Sequence, residues 1–202
     1  MSDGSLVVVI DDHESVRDSL RALLEANGLS VKDYASAVAY LEDGASGDCV
    51  LADLRMPQMT GLELQQEMTR RNSPVPVIVV TGHGDVPLAV TAMRAGAFDF
   101  LEKPYDDDVL LDSIHRALAV GRKTQQTQTE SRAAAALIAA LTTREHEVLD
   151  HLVLGKSNKL IAHELGISPR TVETHRARLQ EKLKARGLSD LVRLTRAIDQ
   201  MH

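Results

Sequence analysis

Short apolar runs that each end in a charged or hydroxyl-bearing residue constrain this chain more than any other feature. Leu6-Val7-Val8-Val9-Ile10 runs into Asp11 and Asp12, Val50-Leu51-Ala52 into Asp53, Val77-Ile78-Val79-Val80 into Thr81, and Phe98-Asp99-Phe100-Leu101-Glu102 into Lys103. Stretches of helical periodicity lie between them. Strands of this length alternating with helices mark the βα units that build a parallel sheet. Ligands of an open parallel sheet sit outside the carboxyl ends of its strands. The run ends therefore converge on one edge, as a small acidic pocket with a hydroxyl and a cation beside it.

The helical stretches fit that scheme. From His13 to Asn27, Val16, Leu20, Leu23 and Leu24 share one face, and Asn27-Gly28 ends the helix. Further helices are expected near Ser36 to Glu42, Thr60 to Arg71, Asp85 to Ala95 and Asp106 to Ala119. Val31 to Ala35 is interrupted by Lys32 and Asp33, which reads as an edge strand. Five strands and five helices result.

Length and charge point to a second unit. A chain of 202 residues is long for a single domain. Residues 1–123 carry 20 acids and 11 bases, net −9, whereas residues 124–202 carry 9 acids and 12 bases, net +3. Only the second part has the sign to meet a polyanion. The lone Cys49 excludes an intramolecular disulfide framework, fits a reducing compartment, and reads as a small core residue. No run approaches the ~20 apolar residues of a membrane span. A soluble, cytoplasmic protein with no membrane contact is expected.

Asp11 or Asp12 alone could be a helix cap, and Asp is a good one. Asp53 arriving from a separate strand adds a third negative charge, which is unfavourable without a cation. Oxygen-only ligation with open positions favours magnesium, which keeps several waters and accepts phosphate oxygens. Lys103 can pair with a carboxylate or a phosphate, and the Lys103-Pro104 step fits a tight turn, with a cis bond open to it.

The acid pair, the loop Asp53-Leu54-Arg55-Met56-Pro57-Gln58-Met59-Thr60-Gly61, Thr81-Gly82 and Lys103-Pro104, in that order, closely resemble the receiver domain of two-component response regulators over residues 5–121. The resemblance implies a doubly wound, flavodoxin-like α/β fold whose five-stranded parallel sheet has the order 2-1-3-4-5. It also implies that Asp53 accepts a phosphoryl group from a phosphohistidine, with Mg2+ held by Asp11 or Asp12, Asp53 and the backbone carbonyl of Arg55. Thr81 and Lys103 would bind the new phosphoryl oxygens, and Phe100, in register with Lys103, would be the switch aromatic. Arg55 and His83 flank the site at positions that affect hydrolytic water in such receivers.

After this unit, Gly121 to Arg132 is polar without apolar periodicity and reads as a hinge or a solvated helix extension; the short Ala133 to Leu141 stretch is rich in helix formers, and a tether continuous with the last receiver helix stays open. Domain limits of 1–121 and 141–202 follow, with a linker at 122–140. The second unit reads as four helices. Thr142 or Thr143 caps a helix carrying Val148, Leu149, Leu152 and Val153 and ended by Gly155; Ser157 starts another with Leu160, Ile161 and Leu165. Gly166-Ile167-Ser168 makes a short turn, and Pro169 suits the first position of a third helix.

On that third helix a 3.6-residue period buries Val172, Leu179 and Leu183, while Arg170, Thr174, Ala177 and Glu181 point away, with Glu173 and Arg178 on the shoulders. Such a face suits the major groove. Glu173 can accept from a cytosine amino group, Thr174 and Ala177 can touch a thymine methyl, and Thr171, Arg176, Lys182 and the earlier Lys159 are phosphate contacts. The words Leu141 to Leu149, Asn158 to Ala162 and Ile167 to Arg176 resemble the LuxR-type helix-turn-helix.

Joined to a receiver, this makes the chain resemble the NarL/FixJ family, and the Thr81 to Pro87 loop with the Ile167 to Glu173 run is similar to its FixJ branch of nitrogen-fixation regulators. The resemblance implies no turnover enzyme but a transcriptional activator. Its partners would be a cognate sensor histidine kinase, double-stranded promoter DNA, RNA polymerase and, when phosphorylated, a second copy docked through Val90, Arg94 and Asp99. A last helix from Ser189 with Leu191, Leu194 and Ile198 either pairs the DNA modules or packs the small core. Two rivals remain. A magnesium-dependent phosphatase of the haloacid-dehalogenase type would need Asp-x-Asp on the first strand, which is absent; a protein-binding or ligand-sensing output would make the last domain indifferent to DNA.

Overall fold

The structure is a computed structural model describing residues 4–82 and 86–199. His83 and Asp85 lie outside the described residues, as does the side chain of Ile198. Two compact units divide the chain, Met1–Gln125 and Gln126–His202. Among the described residues, no helix is long and apolar enough to cross a membrane.

The first unit alternates strand and helix: β1 (Leu6–Ile10), α1 (Glu14–Ala26), β2 (Ser30–Tyr34), α2 (Ala37–Asp43), β3 (Cys49–Asp53), α3 (Gly61–Arg70), β4 (Val77–Thr81), α4 (Val86–Arg94), β5 (Asp99–Glu102) and the start of α5 (Asp107–Ala139). The strands form one sheet in the order β2-β1-β3-β4-β5, with every adjacent pair parallel. This is the doubly wound, five-stranded parallel sheet in the expected order 2-1-3-4-5.

Strands covered by helices on both faces must be apolar throughout, and alternate residues divide between two cores. Val7, Val9, Leu51, Ile78 and Val80 pack with Leu20 and Leu24 of α1 and Leu110 and Ile114 of α5. Val8, Ile10, Val50, Ala52, Val77 and Val79 face Tyr40, Leu64, Met68 and Ala92. Cys49 is fully buried in the first core, and burial pushes its thiol up to about 12. β2 is the edge strand, which explains its mixed sequence. Its Asp33 is held by Arg17 at 3.0 Å and by Arg21, and its Lys32 and Tyr34 reach Asp43 at 2.6 and 2.5 Å.

One helix departs from expectation. Helicity does not stop near Ala119 but runs to Ala139, so of the hinge and the helix extension left open for the stretch beginning at Gly121, the extension is the one found. It is made largely of good helix formers and contains no proline. Gly121 does not break the helix. It is buried where a Cβ would lie 3.0 Å from both the Asp48 carbonyl oxygen and Pro76 Cδ, so close packing accounts for the residue.

The second unit holds the rest of α5 with α6 (Thr143–Val153), α7 (Asn158–Leu165), α8 (Pro169–Lys182) and α9 (Leu188–Asp199). Thr142, Ser157 and Ser168 cap α6, α7 and α8, accepting from the amides of Glu145, Leu160 and Thr171. Gly166 at φ +65° closes α7 and opens the turn into α8. Leu141, Val148, Leu149, Leu152, Ile161, Val172, Leu179, Leu183 and Leu191 form its core, with Leu137, Ile138 and Leu194 against it. Leu191 and Leu194 thus have a packing role. Leu160 does not join this core; it remains 44% exposed.

Candidate functional site

The parallel register sets strand ends side by side, with Ile10 opposite Ala52, Asp53 opposite Val80 and Thr81 opposite Glu102. Residues one step beyond those pairs therefore share the carboxyl edge. Lys103 is fixed there by its amide, which donates to the Thr81 carbonyl at 2.7 Å. The Lys103-Pro104 peptide is cis.

The Lys103 ammonium spans two of the acids, donating to Asp11 Oδ2 at 2.9 Å and to Asp53 Oδ1 at 2.8 Å. Burial works to lower its pKa, but the hydrogen bonds to Asp53 and Asp11 outweigh that and leave it raised. The remaining Asp53 oxygen, Oδ2, accepts the Arg55 amide at 2.7 Å, and Asp11 Oδ1 accepts the His13 amide at 2.9 Å. Each carboxylate oxygen keeps a further lone pair. The Asp53 side chain is 12% exposed and Asp12, beside the cluster, 29%.

Thr81 is fully buried at the end of β4. Phe100, half-buried and opposite Val79, packs against the core that contains Ala92, as Leu88 and Met59 also do. The oxygen donors of Asp11, Asp12 and Asp53 are hard ligands, and that donor chemistry fits magnesium. One ligand atom each from Asp11, Asp12 and His13 lies within 4.8 Å of the others. Arg55 meets the cluster through its amide and its side chain is exposed.

Two contributors escape a reading by residue type. Gly61 opens α3 directly behind Asp53, and a Cβ there would lie 2.5 Å from the Asp53 carbonyl oxygen. Its amide donates to the Leu54 carbonyl at 3.1 Å. The second is His13, whose Nδ1 lies 3.0 Å from Asp12 Oδ1.

On the α4–β5 side, Val90 is 44% exposed and Arg94 is exposed. Asp99 is engaged within the unit by Ser113 at 2.6 Å and Arg116 at 2.9 Å. Burial alone would raise its pKa; the Ser113 hydroxyl, the Phe100 amide and Arg116 together hold it low.

In the second unit, α8 presents Arg170, Glu173, Thr174, Ala177, Arg178, Glu181 and Lys182 to solvent, while Val172, Leu179 and, just past the helix, Leu183 are buried. Lys159 on α7 is exposed and Thr171 half-buried. Two of the cations have internal partners. Arg176 donates to Asn158 at 2.6 Å, joining α8 to the start of α7, and Lys182 donates to Glu145 at 2.7 Å. Both keep unused donors for a phosphate.

Residues 7–115 match the response regulator receiver domain family, and residues 139–195 match the luxR family of bacterial regulatory proteins. The chain is 48% identical over 198 residues to the transcriptional regulatory protein FixJ of Azorhizobium caulinodans, spanning 96% of this chain and 93% of that protein. It is 46% identical over 196 residues to FixJ of Bradyrhizobium diazoefficiens, with 96% of each chain covered. Among solved structures, the response regulator StyR aligns over 96% of this chain and 99% of its own with a TM-score of 0.82 at 38% identity. Full-length FixJ from B. japonicum covers 98% of both chains at 44% identity, with a TM-score of 0.58.

Proposed function

The chain belongs to the two-component response regulators that join a receiver to a LuxR-type DNA-binding domain, close to the FixJ transcriptional regulators, and on that footing we propose that phosphorylation of Asp53 switches its DNA binding. The observation that carries this is the Lys103 ammonium shared between Asp11 and Asp53. It ties the carboxylate at the end of β3 to the one beyond β1, and a phosphoryl group on Asp53 would offer that cation a stronger partner.

In the proposed reaction, a sensor histidine kinase presents phosphohistidine, and an Asp53 oxygen attacks phosphorus in line. The new O–P bond forms as the N–P bond breaks, with the electron pair leaving on the imidazole nitrogen. Magnesium bound by Asp11, Asp12 and Asp53 with the Arg55 carbonyl would supply neutralisation of the charge gathered on the transferring oxygens. Lys103 and the Thr81 hydroxyl take the oxygens of the product. Thr81 moves toward the phosphoryl group, and Phe100 follows from its half-buried seat. The rearranged α4–β5 side, with Val90, Arg94 and Asp99, pairs with a second phosphorylated copy.

Pairing brings two DNA modules to a two-fold site, so two weak half-site readers gain avidity. Arg170, Glu173, Thr174, Ala177 and Arg178 read base edges, while Lys159, Thr171, Arg176 and Lys182 hold phosphates. The output is activation of transcription through RNA polymerase in the cytoplasm. DNA selection with wild type and Asp53→Asn, with and without a small-molecule phosphodonor, tests the switch. Enrichment of a two-fold site only by phosphorylated wild type is expected; equal binding in all four conditions would sink it.

A further inference from the structure

His13 occupies the N-cap of α1 with extended backbone, φ −91° and ψ 114°. An oxygen-bearing side chain at such a position ordinarily turns back onto the first helical amides. The His13 side chain makes no such bond. Its Nδ1 is directed at the acid pair instead, 3.0 Å from Asp12 Oδ1 and 3.4 Å from Asp11 Oδ1, while its own amide anchors Asp11 Oδ1. The side chain is 71% exposed, so packing does not impose this direction. The three ligand atoms within 4.8 Å of one another leave room for one ion to touch all of them.

We infer that His13 is a nitrogen donor of the divalent-metal site, so that the receiver binds nitrogen-preferring ions such as Ni2+ and Zn2+ more tightly than its carboxylates alone would. The inference rests on the metal-assisted reading given above. Imidazole suits nickel and zinc, whereas magnesium keeps to oxygen ligands and retains its waters. The imidazole therefore discriminates between ions: its loss should cost nickel and spare magnesium. In this coordination the imidazole proton resides on Nε2 and the Nδ1 lone pair meets the ion.

The test is calorimetric titration of the untagged full chain with Mg2+ and with Ni2+, using wild type, His13→Gln and Asp12→Asn. Circular dichroism checks that each variant stays folded, and Asp12→Asn identifies nickel bound at other histidines. With His13→Gln, Ni2+ affinity at the Asp12-dependent site should fall about tenfold or more, and Mg2+ affinity should change less than about twofold. Unchanged Ni2+ affinity would overturn the inference. Equal losses for both ions would also overturn it, by making His13 an organiser of the acids rather than a ligand. Absence of any Asp12-dependent Mg2+ binding in wild type would overturn the metal reading itself.

Discussion

The same four-residue device opens a helix in each unit, and its surroundings give it different work. At α3 the Thr60 amide donates to Glu63 at 2.8 Å and the Glu63 amide returns to the Thr60 hydroxyl at 3.2 Å. At α6 the Thr142 and Glu145 bonds are 2.8 and 3.3 Å. Both are capping boxes. Glu63 is exposed, and the structural demand falls on Gly61, the residue after the Thr60 cap, pressed against the carbonyl of Asp53. Thr143 holds the corresponding first helical position in α6 and is exposed. There the demand falls on the glutamate, which is only 3% exposed and also receives Lys182 from the end of α8. One box seats the acid pocket. The other ties two helices of the DNA module together.

Gly61→Ala should have the largest effect that separates the two boxes. The new Cβ meets backbone rather than a flexible side chain, so α3 must shift, at a cost of roughly 1–3 kcal/mol, and phosphoryl uptake at Asp53 should fall with it. Denaturant unfolding and phosphodonor labelling check this; wild-type values in both would show that α3 can move without disturbing Asp53. Glu145→Ala comes next, costing about 1–2 kcal/mol in denaturant unfolding of the second unit, because a cap and a cross-helix bond go together. A Lys182→Met variant, which leaves the cap in place, should lose only part of that.

The boxes should also differ in acid. The Lys182 hydrogen bond, with those from Thr142, holds the Glu145 carboxyl at about 2, against an ordinary 4.5. A carboxyl depressed on folding adds stability fully present above its unfolded value and lost as pH falls toward its folded one. Stability of the second unit should therefore decline between about pH 4.5 and 2, and Glu145→Gln should flatten that part of the curve. The Glu63 carboxyl is lowered by Thr60 alone and should contribute a shallower acid slope. Thr143→Gly, the mirror of the first substitution, should have the smallest effect, a few tenths of a kcal/mol in the same unfolding assay; a loss as large as that from Gly61→Ala would erase the distinction.

The central strands were legible because burial on both faces leaves uninterrupted apolar text, and their ends could be assigned to the residue. β2 read as an edge for the converse reason, with Lys32 and Asp33 in ion pairs at the rim. The end of α5 was only partly legible: the polar stretch after Gly121 fitted a hinge and a helix extension equally, and what favours the helix at Gly121 is the close packing of the Asp48 carbonyl and Pro76 on it. Leu160 matched a buried period yet lies at the flank of α7, where α7 is too short for periodicity to fix its face. The bridge from Lys103 to Asp11 and Asp53 was implied by strand ends, whereas the roles assigned to Phe100 and the Arg55 carbonyl came through family resemblance. His13 carries no local signature, and Gly61 stood in the sequence only as the end of the loop after Asp53. Their meaning lies in atoms brought from Asp12 and Asp53 by the fold.

The seat of Cys49 has a practical corollary. The sole thiol is sealed in the core and burial keeps it protonated up to about 12, and the chain contains no tryptophan. To alkylating dyes and to indole fluorescence the folded protein is silent. A cysteine placed at Val90 or Thr174 would be the one reactive thiol, and a tryptophan placed near Phe100 the one indole emitter. Distances and local motions could then be followed from a single chosen point, with the buried native Cys49 left in place.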